Sequence, residues 1–220
     1  MSGSDANKKK KICVLKDSTF YVYQTGKAEN SFFFDAGCYR YYLNRLFNCL
    51  KAYRQQLHTY VLLPGELHLL ISAFSCSGLI QMVRQVNSTY ADYFANRFDR
   101  LYPPMPGNPV CRRLTGGNIA LDCQKYIELL PVQNSLADRA SGYSWSGYSV
   151  NAYGGHGISL TAHRQYRSFF EEEGNGFQRY RDFIEDPFTA AQQKYLEQRL
   201  RLGFPLAAPR KALRIAAVSR

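Results

Sequence analysis

The spacing of hydrophobic positions predicts a strand–helix–strand–strand–helix–strand order in the first part of the chain. Residues 19–26 (TFYVYQTG) are rich in aromatic and β-branched types and end at a glycine, which is typical of a strand. Two further apolar runs, 57–63 and 67–74, flank a Pro-Gly pair and predict a hairpin. Residues 110–115 (VCRRLT) predict a short fourth strand.

Three segments place their apolar residues three or four positions apart, which predicts helices with one buried face. They are residues 36–56, 77–98 and 118–130. In the third, Asn118 suits the N-cap position, and Pro131 is expected just beyond the end of the helix. This order, with the third helix added, is that of an α+β, ferredoxin-like sandwich, in which an antiparallel sheet carries helices on one face.

Composition predicts three parts in the chain. Residues 1–12 are polar and basic, and we expect them to form a disordered arm. The sandwich is expected to occupy residues 13–155 and to close with a Gly/Ser/Tyr loop at 141–155. Residues 156–220 predict a basic, mostly helical C-terminal extension. Its last segment, Lys194 to Arg220, holds seven Lys and Arg residues against one Glu.

The charge balance indicates the class of partner. The chain has 28 Lys and Arg residues against 17 Asp and Glu residues, a net charge of +11. Such a surplus favours a polyanionic partner, most often nucleic acid. The 17 tyrosines and 14 phenylalanines add rings on which bases can stack. We therefore expect DNA to be the main partner.

Cysteine usage and hydropathy indicate the compartment. The six cysteines include no C-x-x-C pair, which argues against a zinc ribbon. No apolar run reaches the roughly 20 residues of a membrane span, and the polar start MSGSDANKKKK does not resemble a signal peptide. We therefore expect a reduced, cytoplasmic protein that associates with the nucleoid and not with a membrane.

The stretch LPGELHLL contains the first candidate for chemistry. Glu66 and His68 lie two residues apart in a predicted strand, so both side chains are expected on one face of the sheet. A carboxylate beside an imidazole can be half of a metal site. It can equally be a satisfied histidine next to a solvated surface charge, and the pattern alone leaves both interpretations open.

Several sequence blocks resemble, in order and spacing, those of the Y1 (HUH) tyrosine transposases, specifically the REP-associated tyrosine transposases and IS200-like enzymes. The blocks include FYVYQTGKAENSFFFD, LHTYVLLPGELHLL, QVNSTYADYFANRF, CQKYIELLPV and YSWSGYSVNAYGG, and they span roughly residues 18–155. Members of this family cut single-stranded DNA with a tyrosine nucleophile and a divalent metal held by two histidines. The resemblance therefore implies a DNA partner and strand-transfer chemistry.

The resemblance also implies roles for individual residues. The two metal-binding histidines of the family fall on Glu66 and His68, and its nucleophile falls on Tyr126. The third polar ligand falls on Leu130, which has no donor atom, so this sequence departs from the family at two of three metal positions. A carboxylate with one histidine suits Mg²⁺ or Mn²⁺, and the alternative is that no metal binds.

Candidate DNA contacts come from charge and from the same resemblance. Gln24 and Lys27 lie in the block where the family contacts DNA near its first strand. Basic side chains are expected to contact phosphates. The basic candidates are Arg112, Arg113, Lys194, Arg199, Arg201, Arg210, Lys211 and Arg214. For any one of them, a solvated surface charge is the alternative.

These observations favour a transposase-like protein that binds single-stranded or hairpin, REP-like DNA, with strand cleavage impaired by an altered metal site. One alternative is an active nicking and joining enzyme that uses Tyr126 together with Glu66 and His68. Another is a domesticated transcriptional regulator, or a module that binds a protein partner through the C-terminal extension, without catalysis. A monomer and a homodimer both fit the sequence.

Overall fold

The computed structural model describes residues 18–26, 31–99, 107–155 and 159–202. In these ranges the chain forms four strands: β1 (Ser18–Thr25), β2 (Gln56–Leu63), β3 (Glu66–Ala73) and β4 (Val110–Arg113). It also forms seven α-helices: α1 (Ala36–Ala52), α2 (Cys76–Phe98), α3 (Ile119–Gln133), α4 (Tyr148–Tyr153), α5 (Arg164–Arg167), α6 (Gly176–Glu185) and α7 (Ala190–Glu197). A π-helical turn, Gln198–Leu202, follows α7 directly.

The four strands form one antiparallel sheet in the order β2-β3-β1-β4. The central pair aligns Tyr23 with His68 and Thr25 with Glu66. The elements follow one another as β1-α1-β2-β3-α2-β4. This combination of strand order and connections confirms the predicted ferredoxin-like sandwich.

Helices α1 and α2 cover one face of the sheet. Each begins with a side-chain cap: Asp35 accepts a hydrogen bond from the Cys38 amide at 3.0 Å, and Ser75 accepts one from the Gly78 amide at 3.1 Å. Their apolar stripes bury against alternate residues of the strands, and full burial of one such side chain contributes about 1.5–3 kcal/mol. This core includes Val22, Leu46, Leu67, Leu69, Val86 and Phe94.

The opposite face of the sheet is covered by α3 and by the chain around α7. Because side chains alternate along a strand, Tyr21 and Leu70 face this second layer, whereas Val22 and Leu69 face α1 and α2. The second core includes Tyr21, Leu70, Cys123, Tyr126, Ile127, Leu130, Leu196 and Leu200. Part of the predicted C-terminal extension therefore buries side chains against the sandwich.

Two predicted details of the helical regions are wrong. Pro131 lies inside α3 rather than beyond it. A proline has no N–H to donate, so one hydrogen bond of the last turn is lost, and α3 ends two residues later at Gln133. Residues 141–155 are not a loop throughout, because they contain α4. Asn118 does occupy the N-cap position of α3, but its side chain makes no capping hydrogen bond.

A buried carboxylate joins α3 to three other elements. Glu128 is fully buried and accepts hydrogen bonds from the Thr59 hydroxyl at 2.7 Å, the Asn151 amide at 2.8 Å and the Tyr180 hydroxyl at 2.6 Å. Burial raises its pKa to about 7 despite these three donors. Through Glu128, β2 and α4 are held to α6, an element of the C-terminal segment.

The raised pKa predicts that stability falls with increasing pH. The folded state binds this proton more tightly than the unfolded chain, so the free energy of unfolding should fall by up to about 3 kcal/mol as pH rises from about 4.5 to about 7. Glu128→Gln removes the titration, so its destabilising effect should be smaller near pH 8 than near pH 5. Chemical denaturation of the natural protein and Glu128→Gln at pH 5 and pH 8 measures the free energies of unfolding. The same difference in free energy between the two proteins at both pH values would contradict the prediction.

Candidate functional site

The candidate site lies on the sheet face that α3 covers, where the central strands β1 and β3 run side by side. Tyr21 and Tyr23 are two residues apart on β1, and Glu66 and His68 are two apart on β3. The i, i+2 spacing turns the members of each pair to one face. The rings of Tyr21 and Tyr23 stack with centroids 5.3 Å apart, and His68 lies within 6.0 and 6.3 Å of them.

Both ring nitrogens of His68 are hydrogen-bonded. Glu66 Oε2 lies 2.7 Å from Nε2, and the Tyr21 hydroxyl lies 2.7 Å from Nδ1. The hydrogen bond to His68 lowers the pKa of Glu66, so that carboxylate is ionised and accepts from Nε2–H. Burial lowers the pKa of His68, which outweighs the raising effect of Glu66. A neutral His68 then accepts at Nδ1 from the Tyr21 hydroxyl.

Tyr126, the predicted nucleophile, lies in the same layer but is covered. Its side chain is 1% exposed. Nε of Arg201 donates a hydrogen bond to the Tyr126 hydroxyl at 3.0 Å, and the same guanidinium lies 3.7 Å from Glu66 Oε2. Burial raises the pKa of Tyr126, although Arg201 acts in the opposite direction. The structure thus brings Glu66, His68, Tyr126 and Arg201 into one connected group.

The C-terminal segment holds Arg201 in this position. The Tyr23 hydroxyl donates to the Arg201 carbonyl oxygen at 3.0 Å, and Arg112 donates to the same oxygen at 3.5 Å. Leu196 and Leu200 are buried in the core that contains Tyr126. Arg201 lies in the π-helical turn that follows α7.

Neither Leu130, at the third ligand position, nor the acidic residues of α3 add a ligand to this group. Leu130 is 2% exposed and belongs to the apolar core around Tyr126. Glu128 is bonded to the three donors described above, away from this group. Asp122 is buried, and desolvation raises its pKa to about 6. In the described ranges, no cluster of three His, Cys, Asp or Glu residues could hold a metal ion.

The basic residues predicted to contact DNA fall into three groups. Arg113 and Lys194 are exposed. Arg112, Arg199 and Arg201 are partly buried and donate to groups of the protein, such as the Thr115 carbonyl oxygen for Arg199. Lys27, Arg210, Lys211 and Arg214 lie outside the described residues.

Gln24 has a structural position that the sequence did not indicate. It is 2% exposed, its amide nitrogen donates to the Gly107 carbonyl oxygen, and its amide oxygen accepts from Asn87 at 2.9 Å. Asn87 in turn accepts from the Tyr42 hydroxyl at 2.8 Å. Since both ends of its amide are bonded inside the fold, we leave Gln24 out of the proposed interface.

Sequence reasoning missed Tyr21 and the contact between Arg201 and Tyr126. Tyr21 could have been found from its i, i+2 relation to Tyr23, which marks two rings on one face of β1. The Arg201 contact joins residues 75 positions apart. No local pattern signals it, and charge alone assigned Arg201 to the DNA surface.

Comparisons with known proteins identify the fold. No protein-family model and no curated protein match the chain. A solved structure, the REP-associated tyrosine transposase bound to a REP hairpin, is similar with a TM-score of 0.52 and 12% sequence identity. The similarity covers 75% of this chain and 96% of that one. At this identity it confirms a tyrosine-transposase-like fold and does not assign the chain to the family.

The lengths and apolar content of the described helices can be compared with those of a membrane span. In the part of the chain that the structure describes, no helix is both long and apolar enough to cross a bilayer.

The hydrogen bonds around His68 predict its protonation state. We expect its ring to stay neutral at pH 6.5, the ordinary pKa of histidine, with the proton on Nε2, because burial lowers its pKa and Glu66 accepts from Nε2. ¹⁵N NMR of the imidazole, assigned with His68→Gln, should show a protonated Nε2 and an acceptor-type Nδ1. Titration at or above pH 6.5, or a proton on Nδ1 in the neutral ring, would contradict the hydrogen-bond pattern.

Proposed function

We propose that this protein binds single-stranded or hairpin DNA through a transposase-like fold, and that metal-dependent strand cleavage at Tyr126 is impaired or lost. The observation that carries the proposal is the position of Arg201. Its guanidinium donates to the hydroxyl that would attack DNA and lies 3.7 Å from the carboxylate that would hold a metal ion.

The residues present fit a divalent cation poorly. Glu66 and His68 can offer one oxygen group and one nitrogen, whereas Mg²⁺ and Mn²⁺ favour several oxygen ligands in octahedral geometry. The Nδ1 lone pair of His68 already accepts from Tyr21, and Nε2 must keep its proton to donate to Glu66. The guanidinium next to Glu66 would repel a second cation at this position.

The covered hydroxyl of Tyr126 also argues against efficient cleavage. A tyrosine is a poor nucleophile near neutral pH unless its pKa is lowered or a base takes its proton. Here burial raises the pKa of Tyr126, and the group in contact with its oxygen is a donor rather than a base. In-line attack on a phosphate further requires close approach, which a 1% exposed side chain does not allow.

Three observations support DNA as the partner. The net charge of +11 favours a polyanion. Arg113 and Lys194 present their cations at the surface. The solved structure with a similar fold carries a REP hairpin. Binding without cutting is what a regulator derived from a transposase-like protein requires.

The active enzyme is the second candidate, because the structure keeps Glu66, His68 and Tyr126 in one connected group. For that activity, the C-terminal segment would have to withdraw Arg201 from Tyr126 when DNA binds. Only the active enzyme would form a covalent link between Tyr126 and a DNA strand, so this adduct distinguishes the two candidate functions.

Selection from a randomised pool of DNA hairpins with single-stranded flanks tests binding. We expect enrichment of hairpins whose affinity falls steeply with salt, since each neutralised phosphate contributes about 0.7 to 0.9 to the log–log slope. Filter binding of the recovered hairpins over a salt series measures the slope. Failure to enrich any hairpin, or an affinity that does not change with salt, would contradict the proposed binding of DNA.

The recovered hairpins then test cleavage in the same experiment. With Mg²⁺ or Mn²⁺ added, we expect the natural protein to form no tyrosyl–DNA adduct on a denaturing gel. The Tyr126→Phe control should also form none. An adduct formed by the natural protein, absent from Tyr126→Phe and reduced in Glu66→Ala, would establish the active enzyme instead.

A further inference from the structure

A polar groove lies on α1, next to the start of β2. Its volume is about 580 Å³. Its polar side consists of Tyr41, Asn44, Arg45, Asn48, Lys51 and Gln55, and Phe47, Leu50 and Leu57 form an apolar part of the lining. Ser159 and Thr161, which precede α5, close one side. None of these residues was selected as a DNA contact from the sequence.

The groove follows from the helical periodicity of α1. Residues 41, 44, 45, 48 and 51 follow the i, i+3, i+4, i+7, i+10 spacing and therefore lie on one face of the helix. The residues between them, including Tyr42, Leu46 and Leu50, are buried in the first core. The sequence thus builds a helix with an apolar stripe inwards and a stripe of amides and cations outwards.

The charge of the groove is positive and uncompensated. Between Ala36 and Ala52 the sequence has no Asp or Glu, and no acidic residue lines the groove. Arg45 and Lys51 form no ion pair with any residue in the described ranges. Two unpaired cations along one groove attract an anion, and they suit successive phosphates of a nucleic-acid strand.

An aromatic ring stands at one end of the groove. Tyr41 stacks on Tyr93 of α2 with ring centroids 3.8 Å apart and an angle of 9° between the planes. The Arg45 guanidinium lies over the Tyr41 ring, 5.1 Å from its centroid. Tyr93, Tyr41 and Arg45 are thus packed together, and a guanidinium backed by an aromatic ring is a surface that an unpaired base can contact.

Exposed amides lie along the same face of α1. Asn44 and Asn48 are exposed and line the groove. Asparagine amides are of the type that bind base edges.

We propose that this groove binds a single-stranded segment of DNA, with phosphates on Arg45 and Lys51 and unpaired bases on Tyr41 and the groove amides. The inference rests on the proposed DNA-binding function and gives it a location. Bases inside a duplex would hide the faces and edges that a ring and amides contact, so the segment is unpaired. The groove lies on the α1 side of the sheet, whereas Tyr126 lies on the opposite side.

Fluorescence anisotropy with a labelled DNA hairpin that carries a single-stranded flank tests the cations. Arg45→Ala with Lys51→Ala should reduce the log–log salt slope by about 1.4, since each lost single-strand phosphate contact contributes about 0.7. The matched control is Arg84→Ala with Arg139→Ala, which removes the same charge from exposed positions that do not line the groove. This control should keep the slope of the natural protein. Thermal unfolding checks that all variants are folded.

A neutral variant tests the bases independently of charge. Asn44→Ala with Asn48→Ala should lower affinity about fivefold or more without changing the salt slope. The same variant should bind a probe with an abasic flank as the natural protein does, because that probe offers no base to contact.

The outcomes separate this inference from the function on which it rests. If the natural protein binds the hairpin but the groove variants match it in affinity and slope, the groove is not the site and the DNA-binding function stands. An equal loss of slope in the control pair would also overturn the groove, because the effect would then be general charge. If the natural protein binds no hairpin, both the groove and the proposed function are overturned.

Discussion

A fully buried imidazole must have a partner for each ring nitrogen, and in this protein that requirement organises the centre of the sheet. His68 meets it with Tyr21 on one side and Glu66 on the other. The ionised Glu66 then lies next to a cation, which is the Arg201 guanidinium. Both side chains of this ion pair are partly exposed, so its own contribution is small. The hydrogen bonds of Arg201 to Tyr126 and of Tyr23 to the Arg201 carbonyl oxygen also join the C-terminal segment to this group.

Both faces of the sheet are covered because apolar side chains lie on both sides of the strands. Helices α1 and α2 bury one face, and α3 with the residues around α7 buries the other. Glu128 joins α3 to β2, α4 and α6 through three hydrogen bonds. In this arrangement the Tyr126 hydroxyl is enclosed, while a groove with unpaired cations stays open on the α1 side. These two features underlie the proposed binding of DNA on the α1 side and the proposed loss of cleavage at Tyr126.

The sequence predicted the fold well because the fold depends on local periodicity. The strands, the three main helices and their order along the chain follow from spacing and turn residues, and the sequence blocks identified Glu66, His68 and Tyr126 together. Details that depend on distant partners were missed. Gln24 is buried because Asn87 and Gly107 supply its partners. α4 sits in a Gly- and Ser-rich segment that local composition assigned to a loop.

The proposed loss of cleavage requires that Arg201, rather than a metal ion, supplies the positive charge beside Glu66 and Tyr126. Binding of Mn²⁺ can be measured by adding Mn²⁺ to the protein and monitoring the EPR signal of the free ion. Glu66→Ala is the matched control. The account predicts no saturable site that depends on Glu66, so both proteins should leave the same amount of free Mn²⁺. One stoichiometric site in the natural protein that disappears in Glu66→Ala would contradict it.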